Sequence, residues 1–199
     1  MKVTVLKQAS YCHDRTVENK TLRRQIKDEF GVAVRRIDNF TLSGLAAVAK
    51  LNADLQQSDK LALISCAQYF SVELLQQLIL EVHAKQSIKP LNFVSTVGNA
   101  ANFYIAKEFA MHGSNLFVGA DQQAIEKTLL ISALTLAEAE NQQAVALIWN
   151  ETQTHRHCHA MLLENAHADC IAKRFTAEQL LSGSIATPFI LDINDLYST

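Results

Sequence analysis

The sequence predicts an α/β fold built on a mainly parallel, mixed sheet. Two observations carry that expectation. Short apolar segments of strand length alternate along the chain with longer segments of helical spacing. Residues 113–150, GSNLFVGADQQAIEKTLLISALTLAEAENQQAVALIWN, read as one strand–turn–helix–strand unit of the kind that builds parallel sheets. The helix of that unit is unusual, because TLLISALTLA from Thr128 to Ala137 carries no charge on any face. A helix apolar all round is buried all round, and this one is too short to span a bilayer. A buried central helix is therefore expected, from near Asp121 to near Asn141. Its amino terminus would open at a polar spot where free N–H groups and the helix dipole favour acceptors or anions.

The other elements follow in order. Met1 to Ala9 alternates weakly, with Val3 and Val5 on one side, and reads as a strand. Thr16 to Phe30 is a helix of mixed charge, hence solvated on one face, and Gly31 closes it. Val32 to Ile37 is a short extended piece, and the alanine-rich Leu42 to Leu51 a helix started by Thr41 or Ser43. Leu61 to Cys66 is a buried strand. Val72 to His83 places Leu74, Leu75, Leu78 and Val82 at helical spacing, so an amphipathic helix is expected. Leu91 to Val97 reads as extended or turn-like after Pro90, and Asn102 to Met111 as a short helix. After the central unit come a strand at His157 to Glu164, antiparallel or at an edge, a short helix at Ala177 to Ser182, and an edge strand or tail at Pro188 to Ile193.

Composition narrows the class. At 199 residues one domain, residues 1–199, is the expectation. Net charge is −2 and the basic residues form no block, which argues against a nucleic-acid partner held by charge. The start, MKVTVLKQAS, lacks the apolar core of a signal peptide, and no segment reads as a membrane span, so a cytoplasmic protein is expected. Cys12, Cys66, Cys158 and Cys170 form no C-x-x-C pair and read as reduced thiols.

Two places could carry chemistry of their own. His155, His157 and His159 would share one face of a strand, as a zinc-binding set could. No partner carboxylate is evident nearby, so exposed or interface histidines are the preferred reading, with no metal and no cofactor. Cys66 ends a strand, but its neighbours do not form the G-x-S-x-G pattern of a nucleophile elbow, and it reads as a small buried hydrophobe. An independent enzyme using Cys66 or the His155–His159 cluster is kept as an alternative.

Residues 99–125, NAANFYIAKEFAMHGSNLFVGADQQAI, resemble the stretch that precedes the active site of β-ketoacyl synthases. That stretch has an asparagine, a short helix, a Gly-Pro-Asn turn, a strand, and then the nucleophilic cysteine at the start of a buried helix. Asn99, Gly113 and Asn115 fall at matching positions, and the same register puts Gln122 where a condensing enzyme has its cysteine. Glutamine there marks the chain length factors, the non-condensing partners of ketosynthases in type II polyketide systems. Ala120-Asp121-Gln122 is similar to their Ala-Glu-Gln run, and residues 157–164, HCHAMLLE, to the family's next strand. The resemblance runs from about Lys60 to Glu164. Ser114 and Phe103 depart from it, standing where the family has proline and glycine.

The resemblance implies half of a thiolase-like fold, with the C-terminal half and its catalytic histidines absent. It implies no catalysis by this chain alone, and a full-length ketosynthase as partner in a heterodimer or higher assembly. An acyl carrier protein would be engaged indirectly, as in aryl polyene or related pathways. The tunnel or interface candidates are Phe70, Leu74, Gln77, Phe103, Tyr104, Phe117 and Gln122. A scaffold partner without influence on chain length is the second expectation.

Overall fold

The computed structural model describes residues 1–51, 60–70, 72–119, 122–138, 142–167 and 169–197, without the side chains of residues 73, 91 and 197. Its centre is two apolar strands, β2 (Leu61–Ala67) and β4 (Gln143–Glu151). All seven residues of β2 and the first seven of β4 are buried, the pattern of strands covered on both faces. Around them a six-stranded sheet is ordered β3-β2-β4-β5-β1-β6, with β1 at Lys2–Asp14, β3 at Asn115–Gly119, β5 at His155–Asn165 and β6 at Phe189–Asp192.

The sheet is mixed, but the expected predominance of parallel pairing is corrected. β2 runs parallel to β3 and β4, whereas β4–β5, β5–β1 and β1–β6 are antiparallel. The short connection from β4 to β5, closed by a Thr152 N–H to His155 carbonyl bond of 2.9 Å, can only make a hairpin. β1 also continues past Ala9. A register shift between Val5 and Lys7 turns its inward residues over, so Val3 and Val5 enter one core and Tyr11 the other. The bulge breaks the alternation on which the expected end of the strand rested.

Helices cover both faces. On one lie α1 (Asn19–Phe30), α2 (Asn39–Ala49) and α5 (Gly98–Glu108); on the other, α6 (Ala124–Ala137), α7 (Ala177–Ser182) and a 3₁₀ turn at Ile193–Tyr197. α1 buries Leu22 and Ile26 and ends at Gly31, whose φ of 72° lets its N–H reach the Lys27 carbonyl. The helix buried on every side is α2, not α6: every residue from Phe40 to Val48 is inaccessible. Gly44 makes that possible, since a β-carbon there would lie 2.6 Å from the Trp149 ring.

α6 buries Ile125, Thr128, Leu129, Ser132, Ala133, Thr135 and Leu136, but Leu134 is 51% exposed and Leu130 and Ile131 are half-buried. The expectation of a helix sandwiched between two layers is thus corrected: α6 lies on one face of the sheet with its outer side open. Its expected limits at Asp121 and Asn141 lie outside the described residues.

α3 (Val72–His83) departs from an amphipathic core helix. Leu78 is buried and Leu74 half-buried, while Leu75, Ile79, Leu80 and Val82 face outward. α4 (Pro90–Val94) is helical where an extended piece was expected, because proline at a helix start presets the backbone and lacks the N–H that would go unpaired. Among the described residues no helix is long and apolar enough to cross a membrane.

Candidate functional site

Two of the residues singled out by sequence meet toward the carboxyl ends of the parallel strands β2 and β3. Phe117 on β3 and Phe70 just after β2 are brought together, with ring centroids 5.3 Å apart. Two rings not foreseen complete the cluster. Phe40 at the start of α2 stacks on Trp149 of β4 at 4.2 Å and meets Phe70 edge-on at 5.8 Å. Trp149 donates its indole N–H to the Phe40 carbonyl at 3.0 Å and to Ser43 Oγ at 3.1 Å, which fixes the ring although it is buried. Phe40 and Trp149 are 109 residues apart in sequence, so only the tertiary fold joins them.

Phe103 and Tyr104 pair edge-on at 5.5 Å on α5, with Phe103 58% exposed. A buried polar relay places that helix against the sheet. Ser65 donates to Asn102 Oδ1 at 2.6 Å, and the Asn102 amide donates to Asn115 Oδ1 and to the Leu116 carbonyl, each at 3.0 Å. Asn102 and Ser65 escaped sequence reading; a polar residue among apolar neighbours in each segment was the available signal. Leu74 and Gln77 of α3 stand apart from the ring cluster core and line a groove of ≈ 350 Å³ that Phe40 also borders.

Gln122 lies in the turn between β3 and α6 and is exposed. Its amide can donate and accept hydrogen bonds there, but it offers no thiol or hydroxyl to attack an acyl group. Cys66 sits opposite Val118 of β3 and is fully buried against α6. Burial pushes its thiol up, and the hydrogen bond with Thr128 and the Lys127 charge only partly oppose that. A buried neutral thiol is a poor nucleophile.

The three histidines do share one face of β5. Their rings stand in file, 6.1 Å between His155 and His157 and 6.2 Å between His157 and His159. Cys12 Sγ on the neighbouring strand is 3.7 Å from His157 Nε2. Burial lowers His157 and drives His159 down to about 4, so the inner imidazoles are neutral at physiological pH. Among the described residues no three histidine, cysteine or acidic side chains are grouped to hold a metal ion.

The architecture is the thiolase-like fold of the ketosynthases and their chain length factors. In particular, the chain is similar to a ketosynthase (ApeO) in complex with its chain length factor (ApeC) from Xenorhabdus doucetiae. There the TM-score is 0.62 at 14% identity, over 84% of this chain and 81% of that one. It is also similar to the ishigamide ketosynthase/chain length factor, with a TM-score of 0.69 at 10% identity over 84% of this chain and 63% of that one. A third likeness is to AntDE:AntF, a type II polyketide acyl-carrier protein in complex with its ketosynthase, with a TM-score of 0.53 at 9% identity over 82% and 62%. The chain thus spans a little under two thirds of the second and third of these chains. At such identities the likeness is one of fold. No family model matches the sequence, and no curated protein matches it.

Proposed function

We propose that this chain is a non-catalytic, chain-length-factor-like subunit. It pairs with an active ketosynthase and forms one wall of the acyl tunnel in aryl polyene or a related type II polyketide synthesis. The partner supplies the cysteine and histidines of the decarboxylative condensation, and an acyl carrier protein delivers the substrate to the partner. In this reading residues 1–199 act as one ketosynthase-like domain that matches the N-terminal half of the family's fold.

The observation that carries the proposal is the exposed Gln122 in the turn after β3, at the position where the resemblance expects a nucleophile. Next to it, β3 is the end strand of the sheet among the described residues. Leu116 on β3 and Phe103 on α5, the helix packed beside it, are exposed, and so are Ile79 and Leu80 on α3 and Phe93 on α4. Large apolar side chains left exposed in this number support a protein interface. The likeness in fold to ketosynthase and chain length factor complexes, one of them with a chain of nearly equal length, supports the kind of partner.

Co-expression with a ketosynthase of an aryl polyene system tests it. The two chains should purify as one complex, and Leu116→Asp together with Phe103→Asp should abolish it. A chain that remains a stable monomer beside every such ketosynthase would overturn the reading. Within a complex, exchanging Leu74 for alanine and for phenylalanine should shift polyene length in opposite directions. Unchanged length would make the chain a scaffold.

A further inference from the structure

β1 and β5 bring a thiol and an imidazole face to face. Cys12 and His157 are directly opposed in the antiparallel register, so both side chains leave the sheet on the same side. Cys12 Sγ and His157 Nε2 are 3.7 Å apart. An ion bonded to both, about 2.3 Å from sulfur and about 2.0–2.1 Å from nitrogen, would see them at an angle of roughly 115–120°. That angle belongs to a trigonal or tetrahedral centre, and neither strand has to move to reach it. The pair is also open. Cys12 is exposed and His157 half-buried. β6 pairs with β1 only from Lys2 to Val5, so among the described residues no strand flanks Cys12 on its outer side. The neighbouring imidazoles stay apart, with the rings of His155 and His159 centred 6.1 Å and 6.2 Å from that of His157. Among the described residues no third histidine, cysteine or acidic side chain completes a larger metal-binding group. The chain thus offers one sulfur and one nitrogen, and leaves the other positions of an ion to solvent.

We propose that Cys12 and His157 bind one monovalent copper ion in exchangeable form. Thiolate selects soft copper(I), and imidazole also suits copper. A soft monovalent ion accepts two protein ligands, whereas zinc sites draw three or four from the protein. The ion takes the place of the thiol proton, which passes to solvent, and no electron moves. The solvent-facing position lets the ion enter and leave. The site involves neither Gln122 nor β3 and needs no ketosynthase, so its failure and that of the partner reading are separable.

Anaerobic titration of the reduced full chain with copper(I), in competition with a chromophoric copper(I) chelator, tests it. The chain should hold one ion. Cys12→Ser and His157→Gln should each weaken it at least about ten-fold, whereas Cys170→Ser and His155→Gln should not. Thermal melts of each variant establish that the fold is kept. X-ray absorption of the copper-loaded parent decides without any variant: one sulfur and one imidazole nitrogen should be bonded to the ion, and sulfur alone overturns the pair. Loss of all copper to the chelator overturns the proposal, as does unchanged affinity in His157→Gln or an equal loss in Cys170→Ser. Zinc(II) held more tightly than copper(I) would overturn the choice of ion.

Discussion

Phe117 lies so close to Gly98 that a β-carbon on residue 98 would be 2.2 Å from its ring. The first residue of α5 therefore has to be glycine for the edge strand and that helix to meet. Phe117 also carries the contact inward to Phe70 and Trp149. Gly98→Ala should lower stability by about 1–3 kcal/mol, the usual cost of overpacking. Adding Phe117→Leu should recover part of it. Urea unfolding of the two variants checks this; an unchanged midpoint for Gly98→Ala would show that the ring moves aside freely.

Asn102 is the polar joint between α5 and the sheet. Ser65→Ala leaves its buried Oδ1 without the donor now at 2.6 Å, and should cost about 1–3 kcal/mol. Exchange of the β3 amides with deuterium should quicken in the same variant, because the amide end of Asn102 holds the Leu116 carbonyl. Stability equal to the parent would mean that Asn102 is satisfied another way.

Acid should destabilise the protein in a defined window. His159 is 8% exposed, and burial lowers its pKa from 6.5 to about 4. Between those values the unfolded chain binds a proton that the folded chain refuses. Stability is therefore full above about pH 6.5 and falls as the pH drops toward 4, by at most about 3 kcal/mol from this group. His13 and His157, lowered mainly by burial as well, act in the same direction. Denaturant midpoints across that range should flatten in His159→Leu. An equally steep profile would assign the effect elsewhere.

Thiol reactivity should divide the cysteines into two pairs. Cys12 is exposed and Cys170 partly so, whereas Cys66 and Cys158 are buried. A thiol-specific chromophore should label the first pair in the native protein and the second only on unfolding. Rapid native labelling of Cys66 would revive an enzymatic role for it.

Most elements were legible because they are local. The run LALISC and the strand at Leu116 to Val118 announce themselves by apolarity, and Thr176 with Gln179 forms the capping box that starts α7. Errors arose where tertiary structure decides. β1 runs on because β5 pairs with it through Asp14, despite polar residues that argue for a loop. α6 and α2 exchanged roles because apolar composition says that a helix can be buried, whereas the small residues of α2, Gly44 above all, let strands and helices close around it. Of the site, Phe70 and Phe117 were foreseen singly. Their joining with Phe40 and Trp149 depends on contacts between distant segments that no local pattern encodes.

Trp149 is the only tryptophan of the chain, 1% exposed and tied by its indole N–H to α2. Phe117, on the open edge strand, is 6.3 Å from it. The molecule thus contains its own fluorophore one ring away from the surface where a partner would sit. Emission should start blue-shifted and shielded from a soluble quencher, and should respond to pressure on β3 without any added label. Assembly, and the speed at which it happens, can be followed optically in the unmodified protein.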